Sequence, residues 1–418
     1  MSLPASESRL RRVPWHALAG VARDLDAPIA EILAGGPAER VVRRVLRAHR
    51  SLGAAGRAAV AEALFGVALW RRRLGAQLGD PAAAPRVLLA ALLRDLGGAE
   101  RAEELAGLAP GTLPSPRPPP ASLADRASLP DWLAAELGRA AGDAAGALAD
   151  ALGTPGPVCL RANALRASRA EVAARLAAEG VATRPGELAP HALVALAPRV
   201  NVYGLAAHRR GDAEVQDEGS QLLGALVGAR PGETVLDLCA GAGGKSLLLA
   251  ADVGPRGRVH AADPDASRLT RLRVRAARAG AADVVGVEGP APAEGLRADR
   301  VLADVPCSEL GALRRGPDQR WRIDATGFPA LPPLQREILT RAARHVRPGG
   351  RLVYATCTFR VEEDEEVARA FERVHPGFTR IIPPEAPAGT VTAEGFVRTW
   401  PHLHGTDGFF AAAWERRR

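Results

Sequence analysis

The sequence predicts an α/β protein: a doubly wound, mostly parallel sheet in the C-terminal half, preceded by an all-helical region and a small mixed segment. Beyond Gln216, short apolar runs alternate with helices: Thr234 to Leu238, Val259 to Ala262, Val284 to Val287, Val301 to Ala303 and Leu352 to Ala355. That is the rhythm of parallel strands joined by crossover helices. A glycine-rich turn follows the first of these strands, as in sheets that bring backbone close to a ligand. At 418 residues the chain is also too long for one ordinary domain, so two or three units are expected.

Taken in order, residues 1–110 read as helices, with Val60, Leu64 and Val67, and Phe65 and Leu69, recurring at helical spacing between arginine-rich faces. The proline-rich run from Pro110 to Pro120, PGTLPSPRPPP, is one that neither a helix nor a sheet tolerates, and residues 111–124 read as an extended linker between domains. Residues 125–215 read as an intermediate α/β subdomain, with helices at 131–151 and 168–179 and a strand-like run from Val158 to Arg161. Residues 216–418 carry the parallel sheet. They end in two apolar segments, Phe396 to Trp400 and Phe409 to Trp414, joined by a turn-forming stretch and expected to close the sheet as an antiparallel hairpin.

Composition narrows the function classes. Hydrophobic residues at 47% and charged residues at 24% describe a globular chain. No apolar run is long enough for a membrane span, and the opening MSLPASESRLRRVPW has no apolar core of a signal peptide, so a cytoplasmic location without a membrane partner is expected. The four cysteines (159, 239, 307 and 357) are far apart without any CxxC pair. This argues against a disulfide scaffold and against a structural metal, and no metal is expected. The net charge of +8 favours a polyanionic partner such as nucleic acid. Of the 55 basic residues only Lys245 is lysine, so it marks a position where arginine would not serve.

Lys245 closes the stretch Val235-Leu-Asp-Leu-Cys-Ala-Gly-Ala-Gly-Gly-Lys245. Its glycines do not follow GxGxxG, and Cys239 stands where GxxxxGK[ST] requires glycine. A nucleosyl cofactor such as S-adenosylmethionine remains, cradled by Cys239, Ala240, Gly241, Ala242, Gly243, Gly244 and Lys245. Asp263, ending the second strand, is suited to the ribose hydroxyls. Two further strands end in Asp304-Val-Pro-Cys307 and Thr356-Cys357-Thr358. Ligands of open α/β sheets lie beyond the carboxyl ends of the strands, so Asp304, Cys307 and Cys357 should converge beside the glycine-rich turn. Cys159 and Cys239 read as ordinary small buried residues. Arg314, Arg315, Arg320 and Arg322 around Trp321 are candidates for phosphate contacts, with the ring available to support a base. The alternative is a loop anchored by Trp321 packed inside. The acidic run Glu362 to Glu366 reads as a charged first helical turn.

On Gln216-Asp-Glu-Gly-Ser-Gln221, Leu238-Cys-Ala-Gly-Ala-Gly-Gly-Lys245, Asp304-Val-Pro-Cys-Ser308 with Arg314-Arg315, Thr356-Cys-Thr358 with Glu362-Glu363, and Asp407-Gly-Phe-Phe410, the chain resembles the RNA 5-methylcytosine methyltransferases of the NOL1/NOP2/Sun family. Within that family it is most similar to the bacterial branch that acts on 16S ribosomal RNA and carries a NusB-like domain. The resemblance implies a Rossmann-like class I methyltransferase domain preceded by an all-α NusB-like RNA-binding domain, with S-adenosylmethionine as cofactor. It also implies that Cys357 attacks the base, that Cys307 assists product release, and that Asp304 meets N3 of the cytosine. A monomer acting on 16S ribosomal RNA is expected, the alternatives being a methyltransferase of transfer RNA or another substrate, or a non-catalytic RNA-binding factor. The chain departs from the family pattern at Ala242, where proline is common, at Glu309, where a small residue is usual, and at Gly289-Pro290, where an aspartate normally helps hold adenine.

Overall fold

The computed structural model describes residues 5–197 and 200–418. Residues 1–4, the start of the opening stretch considered above for a leader, lie outside the described residues. The chain forms two compact units. The first comprises the described residues up to Pro155 together with Ala312–Ala325, and the second comprises Gly156–Gly311 and Thr326–Arg418.

The first unit is helical. At its centre the helix Ala54–Leu78 buries Val60, Leu64, Val67, Leu69 and Trp70, so apolar residues lie on more than one of its faces. It stops at Gly79, whose φ of 75° is the left-handed conformation that ends helices. Helices Asp26–Leu33, Ala38–Ala48 and Pro85–Ala91 pack their apolar stripes against it. The proline-rich run forms no helix or strand, and the Glu103 carboxylate holds its start by accepting the backbone N–H groups of Gly111 (3.0 Å) and Leu113 (2.6 Å). The run does not mark the division between units. Helices Asp131–Ala141 and Ala145–Gly153, beyond it, belong to the first unit and bury Leu133, Leu137, Leu148 and Leu152.

The second unit holds two sheets. The smaller consists of β1 (Cys159–Ala162), β2 (Thr183–Pro185), β3 (Ala192–Ala195) and β4 (Ala213–Val215) in the order β2-β3-β1-β4, all antiparallel. The helix Arg169–Ala178 opens on a reciprocal cap between Ser168 and Glu171 and packs Val172 and Leu176 onto Leu160 and Leu193. Its sequence signals were thinner than those of the main sheet, since β2 to β4 have only three or four residues each.

The larger sheet contains β5 (Thr234–Asp237), β6 (Arg258–Ala262), β7 (Val285–Gly289), β8 (Ala298–Asp304), β9 (Val346–Thr356), β10 (Phe378–Ile381), β11 (Val397–Thr399) and β12 (Phe409–Arg416). Its order is β10-β12-β9-β8-β5-β6-β7, with β11 paired to β12. β5 to β9 are parallel, and β10 and β11 pair antiparallel with β12. The two faces are apolar by strict alternation. On β9 and β12, Val353, Ala355, Ala411 and Ala413 face one layer of helices, while Leu352, Tyr354, Phe410 and Trp414 face the other. The five parallel strands and the closing hairpin lie where the sequence predicts them. The short edge strand β10 carries no alternation that distinguishes it from a loop. Strand order reverses between β5 and β8, which sets the crevice of an open α/β sheet beyond Asp237 and Asp304.

Candidate active site

The glycine-rich turn leaves β5 and enters the helix Gly244–Val253. Gly243, at φ 85°, lies against Leu272, where an added Cβ would stand 2.7 Å from Cγ, so both backbone conformation and space require glycine. Gly241, at φ 55°, has open space on its Cβ side, and its N–H donates to Asp263 Oδ2 at 2.9 Å. The second oxygen of Asp263 accepts Asp265 N–H at 2.8 Å, so the carboxylate at the end of β6 is locked beside the turn. Beneath the turn Asp237 is buried and accepts from Ser246 Oγ at 2.7 Å; burial pushes its pKa up to about 7.

The lone lysine has a defined partner. Lys245 Nζ lies 2.6 Å from Asp304 Oδ2 at the end of β8. Burial alone would lower the ammonium pKa, but the Asp304 carboxylate outweighs it and the net shift is upward. The compact ammonium makes a point contact here that a broad, planar guanidinium does not reproduce.

Two and three residues after β8 ends at Asp304, Pro306 and Cys307 turn toward the end of β9. Cys307 Sγ is 3.3 Å from Cys357 Sγ, and the Cys357 backbone N–H donates to Cys307 Sγ, also at 3.3 Å. Both thiols are free. The neighbouring Cys357 thiol and burial push the Cys307 pKa well up, so Cys307 is a thiol rather than a thiolate near neutral pH. Cys239, by contrast, is a largely buried thiol whose pKa burial pushes far up, consistent with an ordinary packing role.

The cysteine loop is held by groups that the sequence reading assigned elsewhere. Of the acidic run, Glu365 and Glu366 do form the charged first turn of the helix Glu365–Val374, but Glu363 and Asp364 precede it and are fully buried. Glu363 Oε2 accepts Ser308 N–H (2.9 Å) and Gln335 Nε2 (3.0 Å), while Gln335 also donates to the Pro306 carbonyl (2.9 Å). Asp364 accepts from Thr356 Oγ1 (2.6 Å) and pairs with Arg398 (3.0 Å); burial raises its pKa to about 8 despite that cation. Ser308 Oγ and Thr358 Oγ1 bond at 2.8 Å, tying the two cysteine motifs together. Glu309, which departs from the family pattern, has φ 57°, a left-handed conformation that accounts for the usual small residue there. At Gly289, φ is 96° and the carbonyl accepts Asp263 N–H at 3.0 Å, so the departing segment touches Asp263 through its backbone.

Comparison with known proteins identifies the family. Residues 225–415 match the family model for the 16S rRNA methyltransferase RsmB/F, and residues 129–203 match the ferredoxin-like domain of RsmF/B-like methyltransferases. The chain is 34% identical over 302 residues to a probable ribosomal RNA small subunit methyltransferase B of Synechocystis, covering 70% of this chain and 67% of that protein. It belongs to the RsmB/F methyltransferase family. A Bacillus subtilis protein of the same description is 32% identical over 305 residues, covering 71% of this chain and 68% of its own length. The crystal structure of PH0851 superposes with a TM-score of 0.75 at 26% identity, over the whole of both chains. The chain is accordingly an RNA methyltransferase.

Among the family motifs, Gln216-Asp-Glu-Gly-Ser-Gln221 is structural. Asp217 caps the helix Glu218–Ala225 and accepts Asp407 N–H at 3.2 Å, linking two motifs almost 200 residues apart in the chain. The arginine cluster requires a correction. Arg320 is 1% exposed, and its guanidinium donates to the carbonyls of Leu152 (3.0 Å) and Ala127 (3.4 Å) within the helical unit. Burial lowers its pKa to about 10. Trp321 Nε1 donates to Ala68 O at 2.8 Å and Arg71 stacks on the ring at 4.0 Å, so this tryptophan anchors the segment, as the alternative held. Arg314 is buried as well, whereas Arg315 and Arg322 are exposed, with Arg322 paired to Asp318 at 2.8 Å. Sequence could not separate them, because arginine is this chain's general-purpose cation.

Proposed function

We propose that this protein methylates C5 of a cytosine in 16S ribosomal RNA through a covalent bond between Cys357 and C6, acting as a cytoplasmic monomer. The observation that carries the reading is the pair of thiols 3.3 Å apart at the ends of adjacent strands, next to the Lys245–Asp304 pair. The names of the relatives from Synechocystis and Bacillus subtilis support the ribosomal substrate. Among the described residues no helix is long and apolar enough to cross a membrane, and no cluster suited to a metal ion is found.

The residues fit S-adenosylmethionine. The open Cβ side of Gly241 leaves room against the turn, Asp263 offers a fixed carboxylate, and Asp304 is tied to Lys245 at the end of the turn. When bound, this cofactor supplies an electrophilic methyl group. Cytosine C5 is a poor nucleophile, so the Cys357 thiolate adds to C6 and converts the ring into an enamine. The negative charge that would build at N3 is met by the Lys245–Asp304 pair, which hydrogen-bonds N3 or passes it a proton and takes that proton back when the ring is released. After transfer a base removes the C5 proton, the S–C6 bond breaks, and its electron pair returns to sulfur. The protonated Cys307 thiol offers that departing sulfur a hydrogen bond. Arg315 and Arg322 are the exposed candidates for RNA phosphate contacts.

Bisulfite sequencing of ribosomal RNA from cells with and without the gene tests the base and the site together. Loss of protection at one 16S cytosine supports the reading, and an unchanged 16S pattern refutes the ribosomal assignment. Methyl transfer to transfer RNA instead would move the substrate while leaving the cysteine chemistry in place.

A further inference from the structure

Arg161 on β1 and Glu214 on β4 are direct cross-strand partners in the small sheet. Their side chains leave that sheet and reach two positions of the glycine-rich turn. Arg161 is 3% exposed and donates to Gln216 Oε1 (2.6 Å) and to the backbone carbonyl of Gly244 (2.5 Å). Glu214, also buried, pairs with Arg275 at 3.0 Å and with Arg278. Arg275 in turn donates to the carbonyl of Ala242 at 2.7 Å. The carbonyls on both sides of Gly243 are therefore each held by a guanidinium.

A planar peptide transmits this hold: fixing the Ala242 carbonyl fixes the Gly243 N–H, and fixing the Gly244 carbonyl fixes the Lys245 N–H. The turn needs such restraint, because glycines at φ 55° and 85° have more backbone freedom than any other residue. Burying a cation is costly without partners, and burial lowers the Arg161 pKa to about 10. A hydrophobic side chain would fill the same space without that cost, but it would leave the turn carbonyl unpaired.

We propose that Arg161, together with Glu214 acting through Arg275, is a positioning residue: the small sheet sets the conformation of the cofactor turn and with it the affinity for S-adenosylmethionine. The proposal rests on the assignment of that turn to the cofactor.

Calorimetric titration of the full chain with S-adenosylmethionine tests it, with RNA binding and thermal unfolding measured in parallel. Arg161→Met is expected to weaken cofactor binding about tenfold or more, the size of one lost charge-assisted hydrogen bond. Arg161→Lys, which keeps the charge but loses the fork, should recover part of that loss. The KM for S-adenosylmethionine should rise by a larger factor than kcat falls, and the affinity for RNA should not change. A folded Arg161→Met that binds the cofactor like the wild type overturns the proposal. So does a variant in which cofactor binding, RNA binding and melting temperature fall together without rescue by lysine. If Arg161→Met does not fold, Glu214→Gln, which frees Arg275 and leaves Arg161 in place, must show the same selective loss or the proposal fails. Wild-type protein that binds S-adenosylmethionine yet methylates no RNA would refute the functional reading and leave this one standing.

Discussion

Gly311 offers a sharp test of how the catalytic loop is held. Its N–H donates to the Cys357 carbonyl at 3.0 Å, and its own carbonyl accepts Gly408 N–H at 3.0 Å, so it joins the Cys307 loop to the end of β9 and to the Asp407-Gly-Phe-Phe motif. A Cβ added at Gly311 would stand 2.0 Å from the Gly408 carbonyl oxygen and 2.9 Å from that of Cys357, where real Cβ contacts essentially never fall below 3.0 Å. Both obstacles are backbone, so no rotamer change relieves them, and the loop must move by about 1 Å at least. A misplacement of that size at reacting groups costs about 100-fold in rate. Gly311→Ala is therefore expected to lower single-turnover methyl transfer about 100-fold, with about 1–3 kcal/mol lost in stability from the overpacking. Transfer of tritiated methyl groups from S-adenosylmethionine to a 16S fragment reads the rate, and calorimetry checks that cofactor binding persists. Gly377→Ala, at a glycine with nothing within 4 Å of the added atom, serves as the control and should behave as wild type. A folded Gly311→Ala enzyme with a rate within about twofold of wild type would refute the packing argument.

Further predictions concern individual side chains. Cys357→Ala should abolish methyl transfer, whereas Cys307→Ala should accumulate a covalent protein–RNA adduct resistant to denaturing electrophoresis; full activity of Cys357→Ala would sink the mechanism. Asp237, raised to about 7 by burial, keeps in the folded state a proton that the unfolded chain loses near pH 4. The folded state thus binds the extra proton between about pH 4 and 7, so this group makes stability fall as pH rises through that window and then level off. Asp237→Asn should remove that component, visible as a flatter melting temperature against pH than wild type. Arg320→Ala should destabilise the helical unit by about 2 kcal/mol or more by leaving the Leu152 and Ala127 carbonyls without their donor, while RNA affinity stays unchanged. Weaker RNA binding without loss of stability would restore Arg320 to the phosphate contacts.

Much of the site was legible because its chemistry follows strand ends. Asp263, Asp304 and Cys357 each close or directly follow a strand, Cys307 lies three residues beyond one, and a parallel sheet brings such ends to one edge. The lone lysine was legible as an exception to a composition bias, although its partner was not. The holding groups were missed for a consistent reason. Glu363, Asp364 and Gln335 look like surface residues in sequence, because polar side chains are mostly exposed and only contacts reveal the ones that are not. Arg320 misled in the opposite direction: beside Arg322 and Trp321 it looks like a phosphate contact, yet it is among the most buried side chains of the chain.

The amino-acid sequence by itself determined the α/β class, the five parallel strands with their closing hairpin, and the residues that leave the strand ends, because periodicity and turn chemistry are local properties. Tertiary structure alone decided which charges are buried, and it paired Lys245 with Asp304 and Glu214 with Arg275. It also assigned Ala312–Ala325 to the helical unit rather than to the sheet that precedes and follows it in the chain. Those outcomes depend on partners tens to hundreds of residues away, and the free energy of a buried charge is set by what surrounds it rather than by its neighbours in sequence.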